Sequence, residues 1–153
     1  MSGRILSVNR SDGKGTVKRP AAELTLVVGL GVEGDAHAAP GDRQVSLLMS
    51  ESIEAARASA GEGCEFKEGV ELVPGSFAEN LTTQGLDLLG LKLGDRLRVG
   101  ADAVLRVSRI GKDCPRPCAI YYKLGSCIMP REGIFGEVIV GGRVRPGDAI
   151  AKD

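Results

Sequence analysis

Val104-Leu105-Arg106-Val107-Ser108-Arg109-Ile110, Ile134-Phe135-Gly136-Glu137-Val138-Ile139-Val140 and Val144-Arg145-Pro146-Gly147-Asp148-Ala149-Ile150 decide the fold class. Each run is short, rich in Val and Ile, and bounded or broken by Gly and Asp, the pattern of strands joined by tight turns. Working outward, Arg96 to Val99 and Val70 to Val73 are further strand candidates, with Gly94-Asp95 placed for a turn just ahead. Toward the N-terminus, Ile5 to Val8, Leu24 to Leu30 and Gln44 to Met49 read the same way. The period changes only once, after Ser50. There Ser50 is a candidate helix cap, Glu51 and Glu54 put acid in the first turn, and Ile53, Ala56 and Ala60 recur at helical spacing until Gly61 and Gly63. Pro117 to Lys123 is expected to add a short helical turn. About eight strands against one or two short helices predict a mainly β (α+β) protein, a β-rich barrel that hides its sheet edges by closing.

The totals narrow the function. At 153 residues with no linker, repeat or low-complexity tract, the chain is expected to form one domain over residues 1–153. Lys plus Arg and Asp plus Glu are equal at 20 each, so no global field attracts nucleic acid or an acidic membrane. Aromatic residues make up 3% of the chain, too few for a base-stacking platform. No apolar run near Met1 is long enough for a signal peptide or a membrane span, so the expected location is the cytoplasm, where thiols are kept reduced.

Three stretches carry candidate chemistry. The first is Gly34-Asp35-Ala36-His37 followed by Arg43-Gln44-Val45-Ser46-Leu47-Leu48. His37 is the single histidine, which removes any multi-histidine metal site and argues against a Ser-His-Asp hydrolase; its blander role is a hydrogen-bonded structural group. Arg43, at the edge of an apolar strand, can aim a planar donor fork at a phosphate or carboxylate. The second stretch, Gly75-Ser76-Phe77-Ala78-Glu79-Asn80-Leu81-Thr82-Thr83-Gln84-Gly85, reads as a polar loop. Its amide and hydroxyl groups are also the kind that hold pterin and phosphate edges in a concave site.

The third stretch holds Cys114, Cys118 and Cys127 among Arg109, Lys112, Arg116 and Lys123, with Asp113 as the one acid between Arg109 and Lys123. Positive surroundings favour thiolate over thiol, and a thiolate is both a soft metal ligand and a sulfur nucleophile. Pro115 and Pro117 stiffen the approach to Cys118. A structural zinc would need a fourth ligand, for which only Cys64 or His37 is suited.

Taken in order, these stretches resemble the MOSC domain, named after the C-terminal domain of molybdenum cofactor sulfurases. The likeness runs from about Gly3 to Ala151, carried by Gly34-Asp35-Ala36-His37, Arg43 to Leu48, Glu79-Asn80-Leu81-Thr82, Leu93-Gly94-Asp95-Arg96, Ile110-Gly111-Lys112, Pro117-Cys118 and Arg131-Glu132-Gly133-Ile134-Phe135. It is closest in kind to the small stand-alone bacterial members. The resemblance implies a barrel-like fold and a cytosolic protein that handles molybdenum cofactor or sulfur, with Cys118 as the essential cysteine and protein ligand to molybdenum. It also places Arg43, Asn80 and Thr82 along the molybdopterin pocket, with Arg116 and Arg131 as further cations for the pterin phosphate. On this reading the chain binds the cofactor and supports reduction of N-hydroxylated compounds with an electron-transfer protein. The alternative is a metal-free sulfur carrier, in which Cys118 takes sulfur from a pyridoxal-phosphate desulfurase as a persulfide and Cys114 or Cys127 resolves it. Catalysis by the chain alone and action only with a partner both stay open.

Overall fold

The structure is a computed structural model that describes residues 2–11, 17–59, 72–111 and 127–153. Its elements, in order, are β1 (Ser2–Arg10), β2 (Arg19–Pro20), β3 (Leu24–Val27), β4 (Gly31–Val32), β5 (Val45–Met49), α1 (Ser50–Ser59), β6 (Leu81–Gln84), a single 3-10 turn (Leu88–Gly90), β7 (Arg96–Val99), β8 (Ala103–Ile110), α2 (Met129–Glu132), β9 (Ile134–Val140), β10 (Gly142–Val144) and β11 (Ala149–Lys152). Seven strands close a barrel in the spatial order β11, β7, β8, β9, β5, β6 and β1, with β1 pairing back onto β11. Closure removes the unpaired edges that an open sheet would expose. Short β2 extends β1, and β10, β3 and β4 form a separate three-stranded sheet. The fold is thus mainly β with two short helices, as the run of short strands predicts. Among the described residues, no helix is long and apolar enough to cross a membrane.

The strand sequences explain the two-sided packing. In β7 and β8 the buried residues alternate, with Leu97, Val99, Ala103, Leu105 and Val107 turned into the barrel. Strand β5 is buried on both faces. Val45 and Leu47 join the barrel core, whereas Leu48 joins a second cluster with Ile53, Ala56, Leu72, Phe77, Ile128, Met129 and Phe135. Strands β5 and β6 are parallel, and parallel neighbours need a crossover, here the connection that carries α1. Helix α1 covers the outer face of β5 with Ile53 and Ala56, three residues apart. Glu51 accepts the Gly85 N–H at 2.9 Å, and the Arg57 guanidinium donates twice to the Leu72 carbonyl at 3.0 and 2.7 Å. The helix is therefore tied both to the connection that follows it and to the residue just after β6.

Four expectations are corrected. Leu72 and Val73 lie outside any strand, because the Val73 N–H and carbonyl both bond to Ser76 in a turn. The polar stretch after Gly75 is only half loop; Leu81 to Gln84 is a barrel strand whose Thr82 and Thr83 are fully buried. The run Val144 to Ile150 splits into β10 and β11 around a turn in which Asp148 accepts the Arg145 N–H at 2.8 Å. Strand β3 stops at Val27, where Leu30 N–H turns back to the Val27 carbonyl and Gly29 takes a positive φ. The helix begins at Ser50 itself. The helical turn expected at 117–123 lies outside the described residues.

Candidate functional site

A cleft of about 170 Å³ opens beside the barrel, lined by Lys18, His37, Arg43, Ser46, Phe77, Ala78, Asn80, Met129 and Phe135. Its floor is the outer face of β5 and the approach to β6. Both described phenylalanines stand here, in a chain with three in all. Among the described residues, the barrel core contains no aromatic side chain.

One wall is built on a buried ion pair. Lys18 and Asp35 are 4% and 6% exposed, and the Lys18 ammonium donates to Asp35 Oδ1 at 2.8 Å and Oδ2 at 2.7 Å. The same ammonium lies 3.1 Å from His37 Nδ1. Asp35 also accepts the Ser11 N–H at 3.0 Å and the His37 N–H at 3.1 Å. Burial works against the ionised carboxylate, but the Lys18 ammonium and these two N–H groups outweigh it and hold the Asp35 carboxyl below its usual range. His37 is therefore the hydrogen-bonded group the sequence suggested.

A second wall is the segment from Val73 to Asn80. Gly75 has φ +91°, and an added Cβ would run into the Lys18 carbonyl oxygen. The Lys18 N–H bonds the Gly75 carbonyl at 2.8 Å, so this turn grips the backbone of the buried lysine. Ala78, on the cleft surface, takes φ +64°, which costs a residue with a Cβ about 1 kcal/mol or more. Neighbours hold it there: its N–H bonds the Gly75 carbonyl at 3.0 Å, and its carbonyl accepts Ser46 Oγ–H at 3.2 Å. Asn80 bridges β5 and β1. Its Oδ1 accepts the Ser46 N–H at 3.0 Å, and its amide nitrogen donates to the Asn9 carbonyl at 3.2 Å.

Behind this wall Glu79 is fully buried. Its Oε2 accepts the Gly75 N–H at 3.0 Å and Thr82 Oγ1–H at 2.8 Å, whereas Oε1 has no hydrogen-bond partner. Burial pushes its carboxyl up despite the hydrogen bonds from Gly75, its own backbone, Thr82 and Phe77, which favour the charge.

The third wall presents Arg43 from a backbone pinned on both sides. On one side, Asp42 takes Ser108 Oγ–H on its carbonyl at 2.7 Å and an Arg109 contact at 3.3 Å on its carboxylate. On the other, buried Gln44 donates to the Gly41 carbonyl at 3.1 Å and accepts the Val138 N–H at 3.0 Å. The exposed Arg43 guanidinium makes no hydrogen bond or ion pair among the described residues.

Of the residues singled out from sequence, Arg43 and Asn80 meet in the cleft. Thr82 is fully buried behind the wall, between Asn9 Nδ2 at 3.0 Å and Glu79. Arg131 is exposed on α2, two residues from the cleft residue Met129, and the Glu132 carboxylate accepts Ser52 Oγ–H at 3.1 Å, joining α2 to α1. Cys127 is half-buried against the second apolar cluster. Cys64, Cys114, Arg116 and Cys118 lie outside the described residues. No group of three or more His, Cys, Asp or Glu suited to a metal occurs among the described residues. Sequence reasoning missed Lys18, Phe77, Met129 and Phe135. The scarcity of aromatic residues was a signal for the two phenylalanines, but nothing local marks Lys18.

The fold is a closed seven-stranded barrel with a cleft on its flank that both polar and apolar side chains line. The sequence profile of the MOSC domain matches residues 33–151, and the chain belongs to the MOSC family, which is associated with the molybdenum cofactor. The YuaD protein from Bacillus subtilis has the same fold, with a TM-score of 0.76 at 24% identity over 98% of this chain and 94% of that one. YiiM from Geobacillus stearothermophilus gives a TM-score of 0.73 at 22% identity, over 99% of this chain and 75% of its own. YiiM from Escherichia coli gives 0.69 at 24% identity, over 100% and 70%. These likenesses establish the fold. No curated protein matches the chain.

Proposed function

We propose that this chain binds and handles the molybdenum cofactor, with the Cys118 thiolate as the protein ligand to molybdenum. The observation that carries this is the match of the MOSC profile to residues 33–151, which contain every lining residue of the cleft except Lys18. The donor set of the cleft suits one end of such a cofactor. The Lys18 and Asp35 charges cancel, which leaves Arg43 as the net charge facing an anionic group. Phe77 and Phe135 add an apolar side for a flat ring. The described walls enclose less than the roughly 300–1,000 Å³ of a typical small-molecule site, so they would take the phosphate end and leave the rest to other segments.

In this reading Arg43 holds the phosphate by a charge-assisted fork, with Arg116 and Arg131 as further cations. Asn80 has one amide N–H left after its bond to Asn9 and offers it to the ring edge. Thr82 acts from behind, holding Glu79 and through it the cleft wall. When bound, the cofactor would supply a redox centre for reduction of N-hydroxylated compounds, with electrons from a partner protein.

The test is to express the chain in a host that makes molybdenum cofactor, purify it without oxygen, and measure molybdenum and pterin per chain. Near-stoichiometric cofactor in wild type that falls away in Cys118→Ser is the expected result. Absence of both from wild type overturns the proposal and directs attention to a persulfide on Cys118, the sulfur-carrier reading.

A further inference from the structure

A buried acid sits within the wall of the cleft. Ala78 and Asn80 line the cleft, whereas Glu79 between them is fully buried. Its Oε2 accepts from two uncharged donors, the Gly75 N–H at 3.0 Å and Thr82 Oγ1–H at 2.8 Å, and Oε1 has no hydrogen-bond partner among the described residues. An ionised carboxylate with one oxygen left unsolvated is costly to bury. The wall is also pinned, so it does not open readily to hydrate that oxygen. Ala78 is held at φ +64° by bonds to Gly75 and Ser46, and Asn80 is bonded to Ser46 and Asn9 on two different strands. From β1, β5 and β6 the side chains that bond this wall are Asn9, Ser46 and Thr82, all neutral. On the cleft side the charged or titratable groups are Lys18, with Asp35 bonded to it, His37 and Arg43.

We propose that Glu79 couples the cleft to protons: an oxyanion held there binds together with a proton that the Glu79 carboxyl takes from solvent, and both are released as pH rises. The reason is electrostatic. A carboxylate within the wall repels an anion in the cleft across a poorly solvated space where charges are weakly screened, and a carboxylic acid does not. The effect is reciprocal by linkage. A bound anion raises the proton affinity of Glu79 by the same factor by which the proton raises the affinity for the anion. Burial already lifts the titration of Glu79 above that of an exposed glutamate, whereas Asp35 is held below its usual range. Anion binding is therefore strongest at low pH and weakens as pH rises through the folded value of Glu79. Arg43 supplies the attraction, and Glu79 sets the pH at which it is opposed. The anionic ligand rests on the function proposed above; the buried acid in the wall does not.

Sulfate is the probe, because it stays a dianion from about pH 5 to about pH 8, the range above an ordinary carboxyl pKa, and adds no slope of its own. Its affinity is measured by calorimetry at both ends of that range, with circular dichroism to check that each protein is folded. Wild type is expected to bind about tenfold more weakly at the upper end. Glu79→Gln, neutral throughout, should lose most of that dependence. His37→Gln removes the imidazole of the cleft, which also titrates in this range, and should keep a clear slope. In His37→Gln, titration in two buffers of different ionisation enthalpy should show net proton uptake as sulfate binds, a readout that holds even where Glu79→Gln does not fold. A slope that survives in Glu79→Gln, or one that vanishes in His37→Gln, overturns the proposal. So does pH-independent binding by wild type. No sulfate binding by wild type overturns it as well, while the cofactor proposal stands or falls on its own metal and pterin measurement.

Discussion

Glu79 shows what a buried acid does to a fold that must also hold a cleft. Its carboxyl is pushed up by burial, so the folded protein holds that proton more tightly than the unfolded chain does. A folded-state pKa above the unfolded one gives a stability contribution that is complete at low pH and is lost as pH rises through the folded value. Asp35 runs the other way: its lowered pKa gives stability present above the usual carboxyl range and lost as pH falls through the folded value. Urea unfolding at about pH 5 and about pH 8 brackets the range above an ordinary carboxyl pKa. Wild type is expected to lose stability across it, and Glu79→Gln, a neutral isostere that can still accept from Gly75 and Thr82, should lose less. Equal losses in the two proteins would count against a raised Glu79 carboxyl. At this scale some side-chain chemistry is visible in the sequence alone, as with Arg43, which lines the cleft. It could not see Lys18, because what makes that residue special is burial against Asp35, seventeen positions away.

At the scale of elements, the turn at 74–77 links the cleft to the barrel. Gly75 serves both ends at once, its carbonyl on the Lys18 N–H and its N–H on Glu79. Gly75→Ala is expected to destabilise by at least about 1–3 kcal/mol from the left-handed backbone alone, with more from the clash against the Lys18 carbonyl. Thermal unfolding of the variant checks this, and an unchanged midpoint would mean that the turn can relax. Strand β6, just beyond, was illegible as a strand for a definite reason. Thr82 and its neighbour Asn80 find hydrogen-bond partners on Asn9, Glu79 and Ser46, so these polar side chains are buried against other polar groups. Read one residue at a time, a buried polar strand and an exposed polar loop have the same composition.

At the scale of the whole molecule, the described residues form two apolar clusters, one on either side of β5. The barrel core is aliphatic, built from residues such as Ile5, Leu47, Leu97, Leu105 and Ile150. The second cluster holds Phe77, Met129 and Phe135, and these same three reach the cleft. Leu47→Ala removes a fully buried side chain from the first cluster and should cost about 2–5 kcal/mol in urea titration. Because Leu47 points away from the cleft, the His37 ring NMR signals should stay in place; a shift would show that the two clusters are coupled.

The sequence by itself determined the fold class, the family and strands such as β8 and β9, because apolar period and turn residues are local signals. It also showed a single histidine and, at the edge of an apolar strand, an arginine, Arg43. Tertiary structure alone decided which strands close the ring, that a polar run is a buried strand, and that Lys18, Asp35 and His37 form one hydrogen-bonded chain. Those depend on which distant groups share a desolvated space, and desolvation is a property of the packed molecule that no short stretch of chain contains.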